Sequence, residues 1–249
     1  MPLSTFAGGH LVGVRHGTER PWVLALHGWR RDHHDFDQVL AGLDAIALDL
    51  PGFGAAAAPA EGWATADYAG AILALLDEMA PNPVVLGHSF GGRVAVRLGE
   101  RAPSRVGGLV LTGVPLVRPE GAVIRRAPRA VRLGRTLHRL HLLGDDRMED
   151  LRQRYGSADY RAATGTLRQV LVKAVGEDGR YGDALAAFPG PVALVWGEAD
   201  SAAPLPGARL ALERCRQGQL DVLAGIDHFT PQRDPQALRA ALLRLRDRS

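Results

Sequence analysis

Val84-Val85-Leu86-Gly87-His88-Ser89-Phe90-Gly91-Gly92-Arg93-Val94-Ala95-Val96-Arg97-Leu98 decides the fold. Its first three residues are apolar without a break, as in a strand covered on both faces. From Arg93 to Leu98 the pattern is helical. The turn between them is squeezed into Gly87 to Gly92. A serine at the centre of so sharp a strand-to-helix turn stands exposed at the end of a sheet. Gly87 and Gly91 flank it because a Cβ at either place would crowd the close backbone approach. Phe90 then offers its backbone N–H at the start of the helix, where it can stabilise an oxyanion. The G-x-S-x-G string carries little weight alone in a chain with 30 glycines. Its position between a strand and a helix gives it weight.

Three other segments lie just past apolar runs of the same kind. His27-Gly28-Trp29 follows Trp22 to Leu26, and the backbone N–H of Trp29 can converge with that of Phe90 on one oxyanion. His27 itself reads as a packed residue in a tight turn. Trp196-Gly197-Glu198-Ala199-Asp200 follows Val192 to Trp196. A carboxylate there can orient a histidine and stabilise its cation, with Asp200 expected in the role and Glu198 the nearest competitor. Asp227-His228-Phe229 follows Leu220 to Leu223 and supplies His228 as general base. Asp227 is poorly placed to serve it, because side chains of adjacent residues diverge. Reactive groups gather at the carboxyl ends of strands in open α/β sheets. The order Ser89, Asp200, His228 is also the chain order of a nucleophile-elbow triad.

Apolar runs alternate with helical patterns along the chain, which predicts a doubly wound α/β sheet. The remaining strands are Ala45 to Leu48 and Leu109 to Thr112, with His10 to Arg15 an antiparallel edge. Helices are expected from a capping box at Asp35-Phe36-Asp37-Gln38, over Thr65 to Met79, and over Pro235 to Arg246. Between Leu116 and Phe188 the alternation stops, and the segment reads as a helical insertion over one end of the sheet.

Four of these segments, His27-Gly28-Trp29, Asp49-Leu50-Pro51-Gly52-Phe53-Gly54, Gly87 to Gly92, and the Asp200 and His228 loops, make the chain resemble the α/β-hydrolase superfamily over nearly its full length. The resemblance implies a mostly parallel eight-stranded sheet with a helical cap inserted after the sixth strand. The core would be 1–115 and 189–249, and the cap, or lid, 116–188. The Asp49 to Gly54 segment is structural in such proteins and is assigned no chemistry. Ser89 argues against dehalogenases and epoxide hydrolases of the superfamily, which carry an aspartate there. Trp29-Arg30-Arg31 departs from the extra glycines and proline that follow His-Gly in proline iminopeptidases and carbon–carbon bond hydrolases.

Of the 249 residues, 46% are hydrophobic and 23% charged, which excludes a disordered chain. The formal charge is +3, and Lys173 is the only lysine, so the positive charge is arginine and reads as coding bias rather than as a nucleic-acid surface. Cys215 is the only cysteine, so no intrachain disulfide forms, and its helical setting predicts a structural thiol. The amino-terminal residues lack a signal-peptide pattern, and no run is long enough for a membrane span. A cytoplasmic location without stable membrane insertion is expected; the oligomeric state is left open. One basic run stands out. From Gly121 to Arg139 there are six arginines and no acid. After a helix start at Pro128, Arg129, Arg132 and Arg139 share roughly one face with Arg125, and Ala130, Leu133, Leu137 and Leu140 form another. Three readings apply: a solvated surface, contact with an anionic membrane, or Arg125, Arg129 and Arg132 reaching the pocket to bind a substrate carboxylate or phosphate. Arg93 reads as a helix-surface residue.

The chemistry expected is hydrolysis of a small-molecule carboxylic ester, thioester or lactone through an acyl-enzyme. Neither a metal nor an organic cofactor is required, and the sequence offers no His/Cys cluster with metal-ligand spacing. A lyase of the same fold gripping an anion, and a non-catalytic ligand binder, are the alternatives.

Overall fold

The computed structural model of the chain describes residues 2–119, 129–155 and 157–247. Its strands are β1 Leu3–Phe6, β2 Leu11–His16, β3 Val23–Leu26, β4 Ala45–Asp49, β5 Val84–His88, β6 Gly108–Thr112, β7 Val192–Gly197 and β8 Gly218–Leu223. They form one eight-stranded sheet in the order β1-β2-β4-β3-β5-β6-β7-β8. β1 and β2 run antiparallel to their neighbours, and all pairs from β4 to β8 are parallel. The expected edge strand at His10 to Arg15 is therefore an inner strand. The edge is Leu3–Phe6, whose short, partly polar run pairs with one neighbour only.

The helices are α1 Asp37–Leu40, α2 Thr65–Ile72, α3 Ser89–Arg101, α4 Arg129–Arg139, α5 Asp145–Tyr155, α6 Ala158–Ala162, α7 Gly165–Gly176, α8 Gly182–Ala187, α9 Leu205–Arg214, α10 Thr230–Arg233 and α11 Pro235–Arg246. Two apolar layers cover the sheet, because alternate strand residues point to opposite faces. Leu24, Leu26, Ile46, Leu48, Val85, Leu109 and Leu111 pack with residues of α2, α3, α8 and α9. Val23, Ala25, Ala45, Ala47, Leu86 and Val110 pack beneath α1 and α11. Full burial of each large aliphatic side chain contributes about 1.5–3 kcal/mol, which holds the strand ends that carry the loops.

The helical stretch after β3 starts earlier than the sequence pattern indicates. A 3-10 turn spans His33–Phe36 and is capped by Asp32, which accepts from the His34 N–H at 3.0 Å. Asp35 is instead buried and paired elsewhere. Helices α4 to α8 all lie between β6 and β7, as the break in alternation indicates. Among the described residues of α4, Val131 and Gly134 are buried, while Leu133, and Leu140 just past the helix, are each 61% exposed. Leu133, of the apolar set in the sequence, is therefore not on the side that packs. A Cβ at Gly134 would lie 2.5 Å from Leu151 of α5, so the glycine lets the two helices approach and fixes which side turns inward.

Candidate active site

The turn at Ser89 has the strained geometry its sequence demands. Ser89 sits at φ 49°, a left-handed conformation that costs a non-glycine residue about 1–3 kcal/mol. The turn leaves no room for side chains beside it. A Cβ on Gly87 would stand 2.4 Å from Gly92 Cα, and one on Gly91 would stand 2.1 Å from the Leu26 carbonyl oxygen.

The structure brings Ser89, His228 and Asp200 together from the ends of three strands. His228 Nε2 lies 3.1 Å from Ser89 Oγ, and His228 Nδ1 lies 2.9 Å from Asp200 Oδ2. The carboxylate is an acceptor only, so Nδ1 donates to it and Nε2 is left to accept from the serine hydroxyl. The other oxygen of Asp200 accepts the N–H groups of Ala202 and Ala203, each at 2.8 Å. Asp200 is 4% exposed, whereas Glu198 faces solvent. Asp227 turns away from the imidazole: it accepts from the Phe229 N–H and pairs with Arg233. Gly113, which sequence reasoning missed, follows β6 at φ 62°, and a Cβ there would lie 2.9 Å from His228 Cε1. A lone glycine after a strand was its only signal.

Trp29 and Phe90 both line the cavity at Ser89, and their rings meet edge to face at 5.4 Å. Phe90 is in the first turn of α3, where a backbone N–H has no carbonyl one turn back to bind. His27 is fully buried. Its Nδ1 donates to the Gly28 carbonyl at 2.7 Å and its Nε2 accepts the Leu50 N–H at 2.9 Å, which ties the loop after β3 to the loop after β4. Burial pushes the His27 pKa down, so it is a neutral strut. Asp49 binds His33 and the Ala55 N–H; these bonds outweigh burial and hold its carboxyl below the usual range.

The cavity has a volume of about 310 Å³. The segment between β6 and β7 supplies one wall, including Leu171, Val175 and Asp178. Arg93 is a wall residue and not a surface one. Its side chain is 12% exposed, pairs with Asp178 at 2.5 Å and donates to the Ala174 carbonyl. Burial raises the Asp178 pKa, against the pull of Arg93 and Arg118. The other arginine of the wall, Arg31, is held by Asp35, whose hydrogen bond raises its pKa further. Arg129 and Arg132 are not in this wall. They line a separate shallow hollow with Leu133, Thr136 and Arg139, because the Val131 and Gly134 side of α4 is the one that packs. Arg125 and the helix start at Pro128 lie outside the described residues.

Among the described residues, Asp32, His33 and His34 bring potential metal-ligand atoms within 4.8 Å of one another, a grouping that sequence reasoning missed. Each already has a structural partner: Asp32 caps a turn, His33 binds Asp49 and His34 binds Asp37. Cys215 donates to the Ala211 carbonyl at 3.2 Å, and burial pushes its thiol up to about 11, which suits an inert thiol. No described helix is long and apolar enough to cross a membrane.

Comparison with known proteins matches residues 23–241 to a family described as the alpha/beta hydrolase family. A pimeloyl-[acyl-carrier protein] methyl ester esterase of Aromatoleum aromaticum is 30% identical over 230 residues, covering 81% of this chain and 88% of that one. An esterase of Mycobacterium tuberculosis is 40% identical over 110 residues, or 43% of this chain, but the chain spans only 37% of its length. A lipase from the same organism is 36% identical over 128 residues, 47% of this chain and 46% of its own length. Among solved structures, a thermophilic esterase from Thermogutta terrifontis superposes with a TM-score of 0.69 at 21% identity, covering 100% of this chain and 99% of the other. On the family match and the full-length relative together, this chain is a member of the alpha/beta hydrolase family.

Proposed function

We propose that the protein is a cofactor-independent serine hydrolase that cleaves a carboxylic ester, thioester or lactone. The observation that carries this is the chain of hydrogen bonds from Ser89 Oγ through His228 to the buried Asp200, set at a cavity. In this reading His228 Nε2 takes the serine proton as Oγ attacks the substrate carbonyl carbon. The N–H groups of Trp29 and Phe90 hold the resulting oxyanion, and Asp200 stabilises the imidazolium. The proton then passes to the leaving oxygen or sulfur. Water, deprotonated by His228, releases the acyl group from Ser89.

The wall chemistry narrows the substrate to an uncharged acyl group of modest size. Both arginines of the cavity are already paired, Arg31 with Asp35 and Arg93 with Asp178, and Trp29, Leu171, Val175 and Phe229 line the space between. The anion-gripping lyase loses support for the same reason, since Arg129 and Arg132 line a different hollow. The 116–188 segment acts as a lid, and the esterases and lipase among the relatives are in keeping with ester chemistry.

Covalent labelling with a fluorophosphonate, followed by peptide mass mapping, tests the assignment. Labelling at Ser89 that disappears in His228→Ala is the expected result. Ester turnover retained by pure Ser89→Ala would overturn it.

A further inference from the structure

Behind His228 lies a second buried carboxylate and imidazole that the proposed chemistry does not use. Asp35 has a side chain 2% exposed and His88 one 1% exposed. They come from different parts of the chain: Asp35 from the turn after β3, His88 from the last position of β5. Asp35 Oδ1 accepts from Arg31 Nε at 2.7 Å and from Gln232 Nε2 at 2.7 Å. His88 Nε2 lies 3.0 Å from the backbone carbonyl of His228, to which it can only donate. The remaining atoms, Asp35 Oδ2 and His88 Nδ1, face each other at 3.9 Å, and neither has a hydrogen-bond partner among the described residues.

The connections join three loops. Arg31 follows the loop that presents Trp29. His88 immediately precedes Ser89. His228 and Gln232 belong to the segment after β8. One carboxylate and one imidazole therefore cross-brace the loops of the oxyanion donor, the nucleophile and the base. A catalytic constellation must be held within about 0.5 Å of its productive geometry by groups whose own positions are fixed. Leaving two buried polar groups incompletely paired is costly. The fold retains both.

We propose that Asp35 and His88 are positioning residues that hold His228 and the Trp29 loop in register with Ser89. His88 does so as a neutral imidazole with its proton on Nε2, anchoring the main chain of the base. Neutrality matters because the His88 and His228 rings are 5.1 Å apart, so a charged His88 would oppose the imidazolium that forms on His228. Burial, and then the proximity of His228, push the His88 pKa down to about 3, in the same direction. The Asp35 carboxylate, Arg31, Asp200 and His228 are the charged or titratable groups around it.

The inference rests on the hydrolase reading, so its test pairs activity with a measurement that does not depend on turnover. The activity arm compares the wild type with His88→Gln, His88→Ala, Asp35→Asn and Asp35→Ala on a p-nitrophenyl ester. In His88→Gln the new amide places a donor near the Nε2 position. In Asp35→Asn the new amide can keep the Arg31 and Gln232 bonds while donating to His88. We expect kcat to fall at least tenfold in both alanine variants at nearly constant KM, and to stay within about threefold in His88→Gln and Asp35→Asn. The acid limb of the pH–rate profile should not move in Asp35→Asn. Should the alanine variants fail to fold, the two polar variants and their pH profiles still decide. The second arm is ¹⁵N NMR of the imidazoles, in which His88 should carry its proton on Nε2 alone from pH 8 to pH 5. A cationic or Nδ1-protonated His88, an acid limb displaced in Asp35→Asn, or equal kcat in His88→Ala and the wild type would overturn the proposal. Wild type that neither turns over ester nor labels at Ser89 would sink the hydrolase reading, and with it this role. Normal labelling with an indifferent His88→Ala would sink this role alone.

Discussion

The loops at the carboxyl edge of the sheet and the helical segment between β6 and β7 meet at one cavity but are built on opposite principles. On the sheet side the polar groups are buried and cross-linked. Asp200 makes three hydrogen bonds, His27 is bonded through both nitrogens, and Ser89 is held at φ 49° by tightly packed glycines. On the helical side apolar residues remain in solvent: Leu133, Leu140, Leu142, Val172 and Val175 are each more than half exposed. That segment is fastened to the core partly by ionic contacts, Arg93 to Asp178 and Arg97 to Glu177. In the proposed reading, reacting groups need fixed geometry, whereas a segment that only contacts the substrate can be fastened more loosely.

The sheet side should be sensitive where the helical side is not. The largest effect is expected for Asp200→Asn, which keeps the shape but reverses the hydrogen-bond polarity facing His228 Nδ1. Steady-state kinetics should show kcat falling by roughly 10⁴-fold. A loss below tenfold would mean that the carboxylate is not the orienting group. Next come paired stability measurements. Leu24→Ala, in the sealed sheet, should cost about 2–5 kcal/mol in denaturant unfolding. Leu133→Ala, on the exposed face of α4, should stay within about 0.5 kcal/mol. Equal costs would erase the contrast.

Acid sensitivity sharpens it further. The folded pKa of His88, at about 3, lies below its unfolded value of 6.5, so the unfolded chain binds the proton first. The associated stability is complete above pH 6.5 and drains away as pH falls toward 3. At pH 5 this amounts to about 2 kcal/mol, so His88→Gln should lose that much less stability between pH 7 and pH 5 than the wild type. A smaller effect on activity than that of Asp200→Asn is expected for Arg93→Met, which unfastens the helical segment but leaves Ser89, His228 and Asp200 alone. KM should rise by about threefold to tenfold with kcat little changed, and a collapse of kcat would show that the segment also aligns the reacting groups.

What the sequence made legible follows the same division. The elbow, the loop at Trp29, and the Asp200 and His228 loops were readable because each is a short local pattern at the end of an apolar run. Asp35 was misread as part of a capping box because its true partners are Arg31, four residues back, and Gln232, 197 residues ahead. Arg93 looked like a surface residue because Asp178, which covers it, lies far along the chain. In α4 the side that packs was not legible, because a glycine contact with a neighbouring helix decides it. The edge strand Leu3–Phe6 was missed because a four-residue strand with one partner has almost no pattern to read.

The contact between Ser89 and His228 also bears on how the chain reaches its native state. It closes a separation of 139 residues, and within that span the link from Asp200 to His228 closes a separation of 28. Such contacts are slow to form, since the entropy of closing long loops is lost before the contact compensates for it. β3, β5, β7 and β8 must all be docked before Ser89 meets His228. In a refolding experiment, reactivity at Ser89 should therefore lag behind recovery of secondary structure, and a fluorophosphonate becomes a chemical clock for the last step of assembly.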